Sequence, residues 1–317
     1  MKKRIEKRIL PIKPFLGKQH RQYLIYNITN MKKTLLSALM LVGMALGVDA
    51  QVPQTLDDGY KLVWHDEFDT PGRPNPANWT YEHGFVRNHE WQWYQGENAT
   101  VTEDGILLIT ARREDRPCPW YREDSKDWKH NRQRIECTSA SVISRGLHEF
   151  LYGRFIVRAR IPASRGSWPA IWMLGSKHKY GWPSCGEVDI MEFYPKRGVP
   201  SILANACWGN DKGGSVWDES VKPFTHFTGK DPLWATQFHT WRRDWDKDYI
   251  RIYLDDELLN EIDLGKTING KHGHGDNPFH APMYLLLNLA MGSTGGKVDL
   301  SAMPIRYEID YVRVYQR

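Results

Sequence analysis

Three carboxylates lie within six residues of one otherwise apolar segment, at Glu187, Asp189 and Glu192. The apolar residues between them predict a buried strand rather than a loop. In a regular strand Glu187 and Asp189 share one face, whereas Glu192, five positions after Glu187, points to the other. A β-bulge at Ile190-Met191 would return Glu192 to the first face. We therefore predict a bulged strand that presents all three acids to one cleft.

Two carboxyl groups on one strand face suit acid-base chemistry at a glycosidic bond. With one bulge, Glu187 and Glu192 are compatible with the about 5–5.5 Å that separates the carboxyl groups of retaining glycosidases. Ionised Glu187 would attack the anomeric carbon, while Glu192, its pKa raised by nearby negative charge, would protonate the leaving oxygen and later activate water. Asp189 would hydrogen-bond Glu187 and hold it in place. The bare pattern also fits a solvated strand face or a cation site, so the surrounding sequence must decide.

Period-two alternation of apolar residues predicts further strands along the chain. They cover residues 106–111, 155–161, 202–208, 249–254, 284–289 and 309–315. No long amphipathic helix interrupts these runs. We therefore predict an all-β, antiparallel sandwich formed by a single domain of residues 51–317. Long polar loops at residues 115–134 and 209–234 are predicted to wall the cleft.

The first fifty residues differ from the rest. Basic residues 31–33 precede the apolar run 34–47 and the small-residue sequence Val48-Asp49-Ala50, which is the order of a secretory signal peptide. Because residues 1–30 precede this pattern, we interpret Met31 as the true start codon and residues 31–50 as the signal peptide. We expect export to the periplasm, the cell surface or the medium, with no membrane span in the mature protein.

The charge of the mature chain excludes one class of partner. The whole chain is formally +5, but residues 1–50 hold ten of the 43 Lys and Arg and two of the 38 Asp and Glu. That leaves 33 basic against 36 acidic residues, about −3, which argues against nucleic acid. Four cysteines in an exported chain allow one or two disulfides, with Cys118 and Cys137 as one candidate pair.

The run Glu187-Val188-Asp189-Ile190-Met191-Glu192 resembles the longer, bulged signature of glycoside hydrolase family 16. Other segments resemble that family in the expected order. They are residues 66–69, 88–94, 166–174, 182–186, 285–292 and 309–315. Because they span nearly all of the mature chain, a chance match is implausible, and the chain is identified as a member of the laminarinase-like branch.

This resemblance implies a concanavalin-like jelly roll of two curved antiparallel sheets with a concave sugar cleft. It also implies a retaining mechanism in which Glu187 is the nucleophile, Asp189 the assisting acid and Glu192 the acid/base. The implied activity is internal cleavage of β-1,3- or mixed-linkage β-1,3/1,4-glucan, such as laminarin, lichenan or cereal β-glucan, without a catalytic cofactor. The extra Met191 argues against the licheninase-type and xyloglucan-modifying branches. One departure is Cys207, which stands where many relatives carry His and leaves fine specificity open.

Aromatic and polar residues near these segments are candidates for sugar binding, since a pyranose stacks its C–H face on a ring. We expect Trp168, Trp172 and Trp182 in the cleft, and Trp208 either there or in the core. Asn88, Glu90 and Gln92 alternate, so they would share one strand face and either bond sugar hydroxyls or meet solvent.

Two further sets of residues are candidates for charge or metal binding. Family relatives often carry a structural Ca²⁺, for which Glu67 and Asp310 are the matching candidates. His272 and His274 are interpreted as part of a solvated, glycine-flanked loop rather than as metal ligands. Three arginines could lie in the cleft but cannot be placed from sequence: Arg87, Arg145 and Arg165.

Three alternatives to a glucanase remain open. The first is a hydrolase of marine galactan, of the agarase, porphyranase or carrageenase type, which the roughly neutral mature charge disfavours and a cleft lined with arginine would favour. The second is a non-catalytic glycan-binding protein, which loss of a carboxylate would mark, yet all three are present. The third is a transglycosylase, and the acceptor subsites decide between transfer to a sugar and hydrolysis.

We expect the protein to be a monomer.

Overall fold

The structure, a computed structural model, describes residues 52–176 and 180–317. The chain divides into two units, Met1–Pro53 and Gln54–Arg317, and the description below concerns the second. The predicted leader and signal peptide lie outside the described residues. Within the described part of the chain, no helix has the length and apolar character needed to cross a membrane.

Strands are the main regular elements of Gln54–Arg317, and its described residues contain one short α-helix, α1, at Thr225–Thr228 and several single turns of 3-10 helix. The strands are β1 (Lys61–Asp66), β2 (Thr80–Tyr81), β3 (Trp93–Tyr94), β4 (Ala99–Val101), β5 (Leu107–Pro117), β6 (Arg134–Ser139), β7 (Ser141–Ile143), β8 (Gly153–Arg160), β9 (Ser167–Gly175), β10 (Glu187–Lys196), β11 (Val199–Gly209), β12 (Ser215–Pro223), β13 (His239–Trp245), β14 (Tyr249–Leu254), β15 (Glu257–Asp263), β16 (Met283–Met291) and β17 (Ile305–Gln316).

These strands form two sheets. The front sheet has seven strands in the order β12-β11-β10-β9-β16-β7-β2. The back sheet has ten, in the order β15-β14-β13-β8-β17-β5-β6-β3, with β1 paired to β17 and β4 to β5. Every pairing between neighbours is antiparallel except that of β3 with β6. The predicted all-β sandwich of two antiparallel sheets, the architecture of the jelly roll, is confirmed.

The core lies between the two sheets, where period-two alternation buries one face of each. In β8, Phe155, Val157 and Ala159 are buried, while the intervening residues are half-buried. In β10, Val188, Ile190 and Met191 enter the same apolar cluster. The alternating runs predicted at residues 155–161, 249–254 and 309–315 all correspond to strands.

The predicted bulge in β10 is present. Asp189 pairs with Trp172 of β9 and Asn205 of β11, after which the register shifts before Glu192. Ile190 and Met191 are both fully buried, so two consecutive residues occupy core positions. The bulge therefore returns Glu192 to the face that carries Glu187 and Asp189.

The structure corrects the disulfide hypothesis. All four cysteines are buried free thiols. Cys118 packs with Phe85, Trp93 and Ile135 in a small satellite cluster, whereas Cys137 belongs to the main core. The two thiols of the predicted Cys118–Cys137 pair thus lie in different apolar clusters.

One core position carries a charge. Arg243 of β13 is fully buried, and its Nη1 lies 3.9 Å from Met283 Sδ. Its Nε and Nη2 have no hydrogen-bond partner within the described residues. The guanidinium lies 4.4 Å from the ring centre of Phe155 and 4.3 Å from that of Trp245. Burial lowers the pKa of Arg243 to about 9, which reflects the cost of removing the guanidinium from water.

We therefore expect Arg243→Met to raise the free energy of unfolding by roughly 1–3 kcal/mol, because a buried donor without a partner is removed while volume is kept. Urea denaturation measures this change. Arg154→Met is the matched control, since Arg154 is paired with Asp58 and Asp244 and its loss should destabilise. A lower stability for Arg243→Met would show that the ring contacts outweigh the cost of burial.

Candidate active site

A cleft of about 670 Å³ runs over the outer face of the front sheet. Its walls come from five strands, β9 to β12 and β16, and from the segments before β3 and β10. The lining residues are Arg87, Asn88, Glu90, Trp168, Ala170, Trp172, Leu174, Trp182, Glu187, Asp189, Glu192, Tyr194, Lys196, Asn205, Trp217, Glu219, Asn288, Ala290 and Thr294. The three predicted carboxylates therefore share one cleft.

The sheet register sets these carboxylates in successive rows. Glu187 pairs with Leu174 of β9 and Cys207 of β11. Asp189 occupies the next row, and Glu192 follows the bulge, where it pairs with Ala170 of β9. The distance along the strand thus separates Glu187 from Glu192 while Asp189 lies between them.

Each outer carboxylate receives a hydrogen bond from an indole. Trp182 Nε1 donates to Glu187 Oε2 at 2.7 Å, and Trp168 Nε1 donates to Glu192 Oε1 at 2.8 Å. Asn205 Nδ2 lies between Asp189 and Glu192, 3.2 Å from Asp189 Oδ2 and 3.3 Å from Glu192 Oε2. These donors fix the direction of the carboxyl groups within the cleft.

The electrostatic environment differs among the three acids. Burial, followed by the negative charge of Glu187, raises the pKa of Glu192 to about 7. Burial and the charges of both glutamates raise the pKa of Asp189 well above its usual range. Burial also raises the pKa of Glu187, but the Trp182 hydrogen bond, the charge of Arg87 and a hydrogen bond with Asp189 oppose that rise. The site therefore favours an ionised Glu187 beside a protonated Glu192.

Arg87, which sequence could not place, lies in the cleft wall. Its guanidinium forms an ion pair with Glu82 and lies 5.0 Å from the ring centre of Trp172. Burial, the largest single effect, would lower the pKa of Arg87, yet the charges of Glu82, Tyr94 and Glu90 and the hydrogen bond to Glu82 together outweigh it, and the pKa is raised. Arg87 is thus a permanent cation near Glu187, already neutralised by Glu82.

This geometry agrees with the comparisons to known proteins. The family model for "Glycosyl hydrolases family 16" matches residues 86–313. The chain belongs to glycosyl hydrolase family 16. It is 34% identical to a β-glucanase of Rhodothermus marinus over 91% of this chain and 97% of that protein.

Two solved structures of family members overlay well. The laminarinase from Rhodothermus marinus has 35% identity and a TM-score of 0.65, covering 81% of this chain and 97% of that one. A structure from work on endo-acting O-glycanases, which prominent members of the human gut microbiota express to initiate mucin breakdown, has 34% identity and a TM-score of 0.73. It covers 84% of this chain and 94% of that one. The protein is therefore a glycoside hydrolase of the laminarinase-like kind within family 16.

Most of the predicted sugar-binding residues of this family 16 enzyme reach the cleft. Trp168, Trp172, Trp182, Asn88 and Glu90 line it. Trp172 is held by Asn288, whose Oδ1 accepts a 2.6 Å hydrogen bond from Trp172 Nε1. The exposed Trp182 is the most accessible of these indoles.

Two predicted sugar-binding residues lie elsewhere. Trp208 is buried in the main core near Phe279, because Cys207 pairs with Glu187 and successive residues of β11 point to opposite faces. Gln92 is buried and supports the backbone, since its Oε1 accepts from Met291 N at 2.7 Å. Its Nε2 donates to Glu90 Oε2 at 2.6 Å, so Gln92 positions a cleft residue.

The strand predicted for residues 88–92 is also wrong. Asn88 and His89 both have positive φ, 56° and 53°, and the segment turns before β3. Arg132 Nη1 donates to the carbonyl of Glu90 at 2.7 Å and Nη2 to that of His89 at 3.1 Å. The long loop before β6 thus supports the cleft turn from behind, although its residues do not line the cleft.

The second predicted loop, 209–234, does contribute to the wall, but as a strand. It contains β12, whose Trp217 and Glu219 line the cleft opposite Cys207 and Asn205 of β11. Tyr194 and Lys196 also line it, and these could have been found by continuing the alternation past Glu192. Lys196 forms an ion pair with Glu219. Arg145 and Arg165 do not line the cleft.

Cys207 is buried beside the nucleophile candidate and does not line the cleft. Burial, followed by the negative charges of Glu187 and Asp189, raises the pKa of its thiol. The side chain at this position is therefore a small neutral group beside Glu187.

The carboxylates proposed for calcium do not fit that role. Glu67 accepts two hydrogen bonds from Arg313, at 2.9 and 2.8 Å, and Asp310 forms an ion pair with Arg158. Each carboxylate is already matched by a guanidinium in the back sheet. In the described ranges no group of three or more His, Cys, Asp or Glu side chains is placed to hold a metal, and this includes His272 and His274.

We expect Lys196→Met to move the alkaline limb of the kcat/KM profile to higher pH. Glu192 must be protonated to act as an acid, so activity falls as pH rises through about 7. The Lys196 charge lowers the pKa of Glu192, and its removal raises that pKa. Glu219→Gln is the control, since it removes the opposite charge of the same pair and should not move the limb upward.

Trp182→Phe is expected to move the acidic limb upward instead. The substitution keeps a ring but removes the hydrogen bond that lowers the pKa of Glu187, which must be ionised to react. The pH dependence of kcat/KM on a soluble oligosaccharide measures the shift. Trp217→Phe is the matched control, because its indole donates to Ser215 Oγ rather than to a carboxylate. Equal limbs for both variants would contradict the assignment.

Proposed function

We propose that this enzyme cleaves β-1,3- or mixed-linkage β-1,3/1,4-glucan internally, by a retaining double displacement. The observation that carries the proposal is the bulged β10, which sets Glu187, Asp189 and Glu192 on one face of an indole-lined cleft. The names of the Rhodothermus marinus relatives, a β-glucanase and a laminarinase, support the substrate class.

The first step joins the sugar to the enzyme. Ionised Glu187 attacks the anomeric carbon, and a bond forms between its oxygen and that carbon. Protonated Glu192 gives its proton to the glycosidic oxygen, and the carbon–oxygen bond to the leaving sugar breaks. Asp189, whose pKa burial and the two neighbouring glutamates raise well above its usual range, keeps its hydrogen bond to Glu187.

The second step releases the sugar. Glu192, now ionised, takes a proton from water, and the resulting oxygen attacks the anomeric carbon from the side that the first leaving group vacated. The Glu187–sugar bond breaks, which restores both carboxyl groups and retains the β configuration. No metal or cofactor takes part in these steps.

The charge of the cleft supports a neutral substrate. Its two cations, Arg87 and Lys196, are paired with Glu82 and Glu219. The remaining lining residues that can carry a charge are acids, Glu90, Glu187, Asp189 and Glu192, and no lining cation is left to balance the ionised Glu187. A sulfated galactan would therefore meet net negative charge, which disfavours the marine-galactan alternative.

Export by a signal peptide and a monomeric state belong to the same proposal. A mature N-terminus upstream of Met31 would contradict export by the signal peptide at residues 31–50.

A second candidate is internal cleavage of mucin-type O-glycans. It is favoured by the TM-score of 0.73 to the O-glycanase structure, against 0.65 for the laminarinase. The carboxylate chemistry would be the same, and the subsites flanking it would differ.

Product analysis distinguishes these candidates. The purified enzyme is incubated with laminarin, barley β-glucan, agarose, carrageenan and mucin O-glycans, and NMR follows the anomeric configuration of new reducing ends. We expect β-configured oligosaccharides from a glucan, none with Glu187→Gln, and a kcat about 10²–10⁴-fold lower with Glu192→Gln. Initial α products would overturn the retaining mechanism. Products from mucin alone would establish the second candidate, and no products at all would favour a glycan-binding protein.

A further inference from the structure

A groove on the outer face of the back sheet collects three arginines. It lies between β5 and β17, has a volume of about 450 Å³, and is called the arginine groove below. Leu108, Met303 and Pro304 form its apolar part. Its cations are Arg112, Arg113 and Arg306, all exposed.

Strand alternation directs two of these arginines, Arg112 and Arg306, away from the core. Leu107, Ile109 and Ala111 of β5 are fully buried between the sheets, so Leu108 and Arg112 point outward. Arg306 of β17 pairs with Thr110, the residue between Leu108 and Arg112 on the outer face. Arg306 and Arg112 are therefore neighbours across two adjacent strands.

The arginine groove differs from the rest of the back sheet in how its charges are matched. On the neighbouring β8, Arg158 is paired with Asp310 and Arg160 with Glu308. In the part of the chain that the structure describes, none of the three groove arginines forms an ion pair. Arg112 Nη1 reaches only the carbonyl of Glu97, at 3.5 Å.

Like charges gathered in this way repel one another, and an anion between them would remove that repulsion. The positive charge is also local, since residues 51–317 hold 33 Lys and Arg against 36 Asp and Glu. The arginine groove is therefore a basic site on a slightly acidic protein.

We propose that the arginine groove binds a segment of acidic polysaccharide, with carboxylate or sulfate groups on the guanidinium groups. A guanidinium offers paired N–H donors that match the oxygens of either group. Leu108, Met303 and Pro304 offer an apolar surface to the C–H face of a sugar ring between two charged units.

The bound polymer is an anchor rather than a substrate. The arginine groove lies on the back sheet and the catalytic cleft on the front sheet, so one does not block the other. The two cations of the cleft, Arg87 and Lys196, are paired with Glu82 and Glu219, so the ionised Glu187 is left unbalanced and disfavours entry of a polyanion. An acidic polymer would thus hold the enzyme close to the neutral polysaccharide that it cuts.

Binding of defined polymers tests the proposal. Dissociation constants are measured at about 0.1 M ionic strength, where the Debye length is about 10 Å, for polygalacturonate, dextran sulfate and uncharged dextran. The double variant Arg112→Gln/Arg306→Gln is compared with Arg122→Gln/Arg197→Gln. The control arginines are exposed and line neither site, and their substitution removes the same amount of charge.

We expect the wild-type enzyme to bind an acidic polymer and not dextran. The groove variant should lose at least about tenfold in affinity, equivalent to one charge-assisted contact, whereas the control variant should not. Hydrolysis of a short neutral oligosaccharide should be unchanged in both. The tighter of the two acidic polymers identifies the preferred anion.

Two results would overturn the proposal. Equal weakening in both double variants would show attraction by net charge alone, without a site. Tighter binding to vesicles of anionic phospholipid than to either polymer, again lost in the groove variant, would assign the arginine groove to a lipid surface. Because neutral-substrate hydrolysis is read separately, these failures do not bear on the proposed catalytic function.

Discussion

The bulge in β10 is the constraint on which the active site depends. Ile190 and Met191 both enter the core, so burial of two apolar side chains determines where Glu192 points. Without the extra residue in the register, Glu192 would face the space between the sheets, where an unpaired carboxylate costs several kcal/mol. The hydrophobic effect on one side of the strand thus positions the chemistry on the other.

Gathering three acids on one face creates a cost that the neighbouring residues relieve in part. Burial raises the pKa of all three, the charge of Glu187 adds to the rise at Asp189 and Glu192, and the charge of Glu192 adds to the rise at Asp189. The indoles of Trp168 and Trp182 donate to the outer two, which orients them without adding a positive charge that would keep both ionised. Asymmetry comes from Arg87, whose charge acts on Glu187 and favours its ionised form. The burial of charge that disfavours folding therefore also separates the pKa values of the acid, Glu192, and the nucleophile, Glu187.

Much of the fold could be predicted from sequence because period-two burial is visible in it, as in residues 155–161. The catalytic trio could be predicted because carboxylates within an apolar strand are rare and the bulge follows from parity. Edge strand β12 escaped prediction, since Trp217 and Glu219 belong to a segment with polar residues on both faces. Residues 88–92 alternate in sequence, but the positive φ of Asn88 and His89 turns them, which composition does not reveal.

Other residues depended on partners far away in the chain. Glu67 and Asp310 look like cation ligands until Arg313 and Arg158 are brought beside them by the back sheet. The same reasoning applies to arginines that have no ion-pair partner. Paired charges in the back sheet stabilise the fold and offer few donors to a ligand. Arg112 and Arg306 lie beside an apolar surface, and their guanidinium donors remain available. Net negative charge in the cleft and unpaired positive charge on the back sheet therefore divide this sandwich into a face that processes neutral sugar and a face that holds anions.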